Sequence, residues 1–348
     1  MIALKDSFFR VIDYLRISVT DRCNLRCVYC MPSEGIAPFH HDDILKYEEI
    51  IRIVRIAAGL GVRKVRLTGG EPLTRKNISF LVSGIRKISG IEDLSLTTNG
   101  VLLEQKAAEL ADAGLDRVNV SIDSFRPERF REITRGGDLG AVLRGLEAAR
   151  KAGLSPVKIN MVPVRGVNDD EIEDFARMTI GSDCDVRFIE FMPSGTDGLW
   201  GPEKYISTDE MKEIIERIAP LSPVRVRKNG PSKYYRLEGA RGVVGFISAL
   251  THHFCNECNR LRLTAEGKLR PCLFSETEID LRSSLRSGAA DEEIERLLRL
   301  SIEIKPKEHN LQKQGAGGDG LQNDGKVNSP VPGSQFAGGK RPMSRIGG

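Results

Sequence analysis

The chain comprises 348 residues, which suggests two domains at roughly 150 residues each and a core large enough to need no disulfide staples. Its 52 Lys and Arg against 48 Asp and Glu leave a net charge of +4, too mild for a purely electrostatic grip on nucleic acid. With 40% hydrophobic and 29% charged residues, and no apolar run approaching the ~18 residues of a membrane helix, the composition argues against a membrane-spanning or disordered chain.

The opening Met1-Ile2-Ala3-Leu4-Lys5-Asp6 has no basic region followed by an apolar stretch, so no signal peptide and a cytoplasmic location are expected. Strand-like and helix-like runs then alternate. Strands are predicted over 15–19, 62–67, 94–98, 117–122, 157–162 and 186–191, most of them rich in Val, Ile and Leu, as parallel strands covered on both faces are. Helices are predicted over 47–58, with Ile50, Ile51, Val54 and Ala58 at core spacing, and over 102–113, 139–152 and 169–178. Gly114 and Gly153 stop the second and third, because glycine enters the left-handed region cheaply. Six βα repeats imply a right-handed parallel sheet, and a partial TIM-like barrel is expected because eight strands are not visible.

Ser207-Thr208-Asp209-Glu210 starts one more helix as a capping box, and Pro220 and Pro223 mark a boundary. Residues 221–275 read as short strands and turns, and 276–300 as helical. Beyond Asn310, ten of the last 39 residues are Gly, interleaved with polar residues and Pro, which reads as a flexible tail. The expected organisation is a core domain over 1–220, a smaller domain over 221–309 and a tail over 310–348. Gly315-Ala316-Gly317-Gly318-Asp319-Gly320 matches a dinucleotide-binding pattern in form, but no strand precedes it and it reads as linker.

Seven cysteines, Cys23, Cys27, Cys30, Cys184, Cys255, Cys258 and Cys272, fall three and three with one outlier, which suits metal better than disulfides. The first set, Cys23-Asn24-Leu25-Arg26-Cys27-Val28-Tyr29-Cys30, follows the first strand directly. Three thiolates on one short loop can hold three irons of a [4Fe–4S] cube and leave the fourth open, as a catalytic metal site does. The alternative is a zinc site completed by His40 or His41. This loop resembles that of radical S-adenosylmethionine (SAM) enzymes. The resemblance implies that SAM chelates the open iron and that one electron cleaves it to methionine and a 5′-deoxyadenosyl radical, the protein supplying placement.

The loops that follow fit the same resemblance. Thr68-Gly69-Gly70-Glu71-Pro72 is similar to the family's loop that holds the SAM amino group, the glycines letting backbone carbonyls come close to a ligand. Tyr29, Gly70, Ser121 and Met192 are the SAM contacts it implies. Independently of family, the Cys loop, Gly69-Gly70, Thr97-Thr98-Asn99-Gly100, Ser121 and Met192 all lie at or just beyond the C-terminal ends of predicted strands, where ligands bind in βα folds.

The second set, Cys255-Asn256-Glu257-Cys258 and then Cys272, again offers three thiolates; on spacing alone, a zinc site with His252 or His253 is an equal reading. Its surroundings, from Phe254 through Asn259, Arg260 and Arg262 to Cys272, closely resemble the C-terminal segment of the molybdenum cofactor biosynthesis protein A family, the GTP 3′,8-cyclases, and the resemblance extends to Gly347-Gly348. It implies a radical SAM barrel with an auxiliary domain, and a second [4Fe–4S] cluster whose open iron binds the guanine of GTP. Cys184 is then left as a buried apolar residue.

A pocket for GTP must desolvate about four negative charges. Arg16, Arg66 and Lys158 lie in or beside predicted strands, where long cations are unusual unless they reach a polar cavity, and Arg260 and Arg262 share a face if extended. With Thr97 and Leu261 they match the positions that the resemblance gives to GTP. It further implies two clusters and SAM as cofactors, and Gly347 and Gly348 reaching into the active site. The partners it implies are GTP, a reductant and a downstream cyclic pyranopterin synthase, with no nucleic acid and no membrane; a homodimer is left open.

Overall fold

The computed structural model describes residues 4–193, 200–225, 230–309 and 345. Six parallel strands alternate with helices through the first two thirds of the chain. They are β1 (Tyr14–Ser18), β2 (Lys64–Thr68), β3 (Asp93–Thr98), β4 (Arg117–Ser121), β5 (Lys158–Met161) and β6 (Asp185–Ile189). Helices α1 (Tyr47–Gly59), α2 (Ile78–Arg86) and α3 (Leu103–Asp112) follow the first three strands. Helices α4 (Pro127–Thr134) and α5 (Leu139–Lys151) follow β4, and α6 (Ile172–Gly181) and α7 (Thr208–Glu216) follow β5 and β6.

Two helices, α2 and α4, lie where the sequence pattern gave none. In α2 the β-branched residues and Gly84 weaken the helical signal, and its burial of Ile78, Leu81, Val82 and Ile85 decides the matter. Helix α4 is polar overall, but Pro127 at its first turn is a start signal, and Phe130 and Ile133 form its apolar face.

The remaining strands are β7 (Leu221–Val224), β8 (Lys233–Leu237), β9 (Val244–Ile247), β10 (Arg260–Leu263), β11 (Lys268–Arg270) and β12 (Ile279–Asp280), followed by α8 (Arg282–Arg286) and α9 (Asp291–Glu303). They extend both edges of the same sheet, whose order is β12-β11-β10-β1-β2-β3-β4-β5-β6-β9-β8-β7. Strand β10 runs parallel to β1, and β9 parallel to β6. The barrel is therefore open, as expected. Its two further parallel strands come from the C-terminal segment, outside the βα repeat, which hid them from a search for repeats.

The strands alternate strictly. Leu15, Ile17, Val65, Leu67, Leu94, Leu96, Val118, Val120, Val186 and Phe188 are wholly buried in the apolar core on one face. The alternate positions carry Arg16, Arg66, Arg117, Lys158 and Arg187. The expectation of strands covered by apolar residues on both faces is thus corrected: the inner face lines a polar chamber, so only every second residue is apolar.

At the seam between β6 and β9, Phe188 and Phe246 stack with ring centroids 5.9 Å apart, both at most 1% exposed. Phe246→Ala is expected to cost about 3–5 kcal/mol. Urea denaturation checks this, and a loss under about 1 kcal/mol would show that the seam does not hold this edge of the sheet.

Candidate active site

One cavity of about 520 Å³ opens inside the barrel, and both cysteine sets line it. Nine Lys and Arg side chains face four Asp and Glu along its wall, so the chamber is cationic despite the chain's mild overall charge.

Register explains the charge density. Pairing aligns Arg262 with Arg16, Arg16 with Arg66, Arg66 with Ser95 and Ser95 with Arg117, one row across five strands spaced by about 4.8 Å. A second row runs Thr97, Asn119, Lys158, Asp185, and a third runs Ser121, Asn160, Arg187 through β4 to β6. Two cations are neutralised: Arg117 pairs with Asp93 at 2.6 Å, and Lys158 Nζ lies 2.7 Å from Asp185 Oδ2. Arg66 Nε donates to Ser95 Oγ at 3.1 Å, and Arg187 Nη2 to Asn119 Oδ1 at 2.6 Å. Burial and the neighbouring Arg262 guanidinium hold Arg16 well below the usual arginine range. Burial lowers Arg66 and Arg262 to about 10, with Arg187 and Arg117 adding to the effect on Arg66 and Arg260 to that on Arg262. Such crowding disfavours each charge, so a polyanion in the cavity relieves it. Thr97 Oγ1, Asn160 Oδ1 and Arg187 Nε are buried with no hydrogen-bond partner among the described residues, as groups awaiting a ligand are.

The first cysteine loop is fixed by its neighbours. Gly70 N–H donates to the Thr20 carbonyl at 2.7 Å and Glu71 N–H to the Arg22 carbonyl at 2.8 Å. A Cβ on Gly69 would sit 2.6 Å from the Thr20 oxygen, and one on Gly70 would overlap the Arg22 carbonyl. These glycines let the cysteine loop pack against the β2 rim. Glu71, buried, accepts from Thr98 Oγ1 (2.8 Å), Asn99 N–H (2.7 Å) and Leu73 N–H (3.0 Å). Asn99 Nδ2 in turn reaches Asn24 Oδ1 at 2.8 Å and lies 3.9 Å from Cys23 Sγ. Tyr29 OH donates to Asp123 Oδ2 at 2.5 Å, and burial raises Asp123 to about 6.

The donor chemistry fits a cluster at each set. Burial raises the Cys27 thiol, and the nearness of Cys30 and Cys23 adds to it, so three thiolates here call for a multivalent cationic group. At the second set, Cys258 is lowered to about 7 by Arg260 and Lys305, against the effect of burial. His40 and His41 are exposed and not among the cavity-lining residues, and His252 turns outward to Asp209 at 2.8 Å, whereas His253 does line the cavity. Cys184 lies off the cavity, packed against the core, its thiol raised by burial to about 12.

Of the residues singled out in the sequence, Arg16, Tyr29, Arg66, Gly70, Thr97, Ser121, Lys158, Met192, Arg260, Arg262 and the six clustered cysteines all line this cavity. Leu261 does not: its side chain is 1% exposed and packs in the apolar core, so any contact it makes with a ligand runs through its main chain. Gly347 and Gly348 lie outside the described residues. Arg117, Arg187, Asn160, Asp123 and Glu190 were missed; the first three share the alternation phase of Arg16 and Lys158, a signal that could have found them.

Comparison with known proteins agrees with this geometry. The family described as the Radical SAM superfamily matches residues 17–179, and that described as Molybdenum Cofactor Synthesis C matches residues 184–311. The fold is also that of Streptococcus suis SuiB bound to S-adenosylmethionine, with a TM-score of 0.58 at 15% identity over 78% of this chain and 64% of that longer one. The barrel and its cysteine loop thus define a radical SAM protein. Among curated relatives, GTP 3′,8-cyclase of Thermodesulfovibrio yellowstonii is 54% identical over 87% of this chain and 95% of its own, and that of Heliobacterium modesticaldum 52% identical over 90% and 96%. The chain belongs to the GTP 3′,8-cyclase family.

Glu71 yields a pH prediction. Burial raises its carboxyl from 4.5 to about 7, so between these values the folded chain keeps a proton that the unfolded chain has lost. The contribution to stability is present below about pH 4.5 and is lost as pH rises through about 7. In the cluster-free protein, urea midpoints should fall across this window, and Glu71→Gln should flatten the slope. An unchanged slope would count against a protonated Glu71.

Proposed function

We propose that this chain converts GTP to (8S)-3′,8-cyclo-7,8-dihydroguanosine 5′-triphosphate, the first step of molybdenum cofactor biosynthesis. One observation carries the reading: two three-cysteine sets and a row of arginines open on a single chamber. Cys23, Cys27 and Cys30 hold the first [4Fe–4S] cluster and Cys255, Cys258 and Cys272 the second. When bound, the first cluster and SAM supply one-electron cleavage of SAM to a carbon radical that can take the 3′ hydrogen of GTP.

The chain's own residues bind, orient and exclude water. Tyr29, Gly70, Ser121 and Met192 surround SAM beside the first set. Arg16, Arg66, Lys158, Arg260 and Arg262, with Thr97, clamp GTP and its triphosphate, and the cations offset the loss of hydration. The second set orients the guanine. Gly347 and Gly348 complete the site, a reading supported by Arg345, whose Nη2 donates to the Ala37 carbonyl at 2.7 Å and whose guanidinium lies 4.5 Å from the Phe39 ring centroid. That contact places Arg345 beside the loop after Cys30. Among the described residues no helix is long and apolar enough to cross a membrane, and a cytoplasmic enzyme fits the reading. A reductant and a downstream cyclic pyranopterin synthase are its functional partners, whether or not a homodimer forms.

Anaerobically reconstituted, dithionite-reduced protein should form 5′-deoxyadenosine from SAM in a GTP-dependent manner. Slow formation indifferent to GTP would redirect the search to another substrate. Arg66→Met should weaken GTP binding by roughly 10- to 100-fold while leaving guanosine binding unchanged; equal losses for both would remove Arg66 from the triphosphate. Deletion of Gly347 and Gly348 should abolish cyclisation, and retained turnover would remove the tail from the site.

A further inference from the structure

Against the second cysteine set lie two buried cations to which the proposed mechanism gives no role. Lys305 follows α9 and is 3% exposed. Its Nζ donates to the Arg260 carbonyl at 2.8 Å and to the Pro271 carbonyl at 2.5 Å, which belong to the segments just after Cys258 and just before Cys272. Arg10, also buried, grips the third segment: its Nη1 donates to the Cys255 carbonyl at 2.6 Å and to the Lys307 carbonyl at 2.9 Å, and its Nη2 to the Pro306 carbonyl at 2.7 Å. Asp6 holds Arg10 Nε at 2.5 Å. Every cysteine-bearing segment of the set is thus tied by a main-chain carbonyl to a buried cation, and the two cations are joined through residues 305–307.

The charges are unequal in their surroundings. Arg10 has the Asp6 carboxylate, whereas Lys305 forms no ion pair with a carboxylate among the described residues. A buried ammonium needs a counter-charge, and the thiolates of Cys258 and Cys272 are the negative groups that favour its charge. Its two carbonyl acceptors carry no net charge, and its third partner is the Cys258 sulfur, which also takes a hydrogen bond from it.

We propose that Arg10 and Lys305 form a clamp that holds the three ligand segments in register for the second cluster, and that the Lys305 charge raises the reduction potential of that cluster. The inference rests on the reading of Cys255, Cys258 and Cys272 as cluster ligands. Its physical basis is that positive charge beside thiolate-ligated iron favours the reduced, more negative state, while fixed ligand segments slow iron loss. Lys305 is a positioning residue: it acts through the cysteine segments.

The test reads the second cluster alone, in the full chain with Cys23, Cys27 and Cys30 replaced by Ala, by redox titration followed by electron paramagnetic resonance and by the rate of iron loss to a chelator. Lys305→Gln keeps donors for both carbonyls but removes the charge, so the potential should move to more negative values with little change in iron loss. Lys305→Met removes both and should also speed iron loss by about tenfold or more, as expected for two lost charge-assisted hydrogen bonds. Lys305→Arg should restore the potential. If Lys305→Met does not fold, Lys305→Gln still decides: an unchanged potential overturns the charge role. Unchanged iron loss in Arg10→Met as well as Lys305→Met overturns the clamp. Failure of the parent triple variant to take up a cluster would instead sink the reading on which the inference stands.

Discussion

The constraint on which the rest depends is the presence of long cations on the inner face of a parallel sheet. Arg16, Arg66, Arg117, Lys158, Arg187 and Arg262 all project into one chamber, and two of them are offset there by Asp93 and Asp185. Such an inner face cannot hold the sheet together. Stability comes instead from the outer face, where the alternate residues of each strand are buried against the helices. The division frees the chamber for chemistry: its crowded guanidinium groups are held below their usual range by burial and by one another. A site built this way is selective by charge before any base-specific contact is made.

The same sheet brings the two cysteine sets to one chamber. The first set sits beyond β1, on a loop zipped by backbone hydrogen bonds to the Gly69-Gly70 turn, and Glu71 fastens that turn to the loop after β3. The second set precedes and follows β10 and β11, and β10 is hydrogen-bonded to β1 itself. At the far edge, Glu190 links the end of β6 to α7 and to the segment before Cys255, accepting from Thr208 N–H at 3.0 Å and Leu250 N–H at 2.7 Å. The C-terminal segment therefore extends both margins of the open barrel, adding β10 and β9 in the barrel's own parallel pattern. Strand pairing of this kind keeps the two cysteine sets at a fixed separation across the chamber.

How far the sequence carried this picture can be judged residue by residue. The clustering of Cys23, Cys27 and Cys30 is local, because one short loop carries all three, and the structure places that loop on the cavity wall. The six βα repeats and the stops at Gly114 and Gly153 were legible as well, since both rest on short-range periodicity and on the conformational freedom of glycine. Arg16, Arg66 and Lys158 were recognisable as misplaced cations. Arg117 and Arg187 were not, because strands rich in Val and Leu read as covered on both faces, although the alternation that exposes one face is present in the letters.

What the tertiary structure alone decided is whatever depends on register between distant segments. The row Arg262–Arg16–Arg66–Ser95–Arg117 joins residues as far apart as 16 and 262 through strand pairing, and a shift of one residue would turn every one of these side chains into the core. The grip of Arg10 and Lys305 on carbonyls beside the second cysteine set is equally invisible in sequence, for main-chain acceptors carry no residue type. Leu261 makes the converse point: it sits between two lining arginines, yet the period of two along a strand sends its side chain into the core. The sequence by itself determined which cysteines cluster and where the six βα strands fall, because those signals are local. Folding determined which charges share a chamber, because strand register is set by packing over the whole sheet.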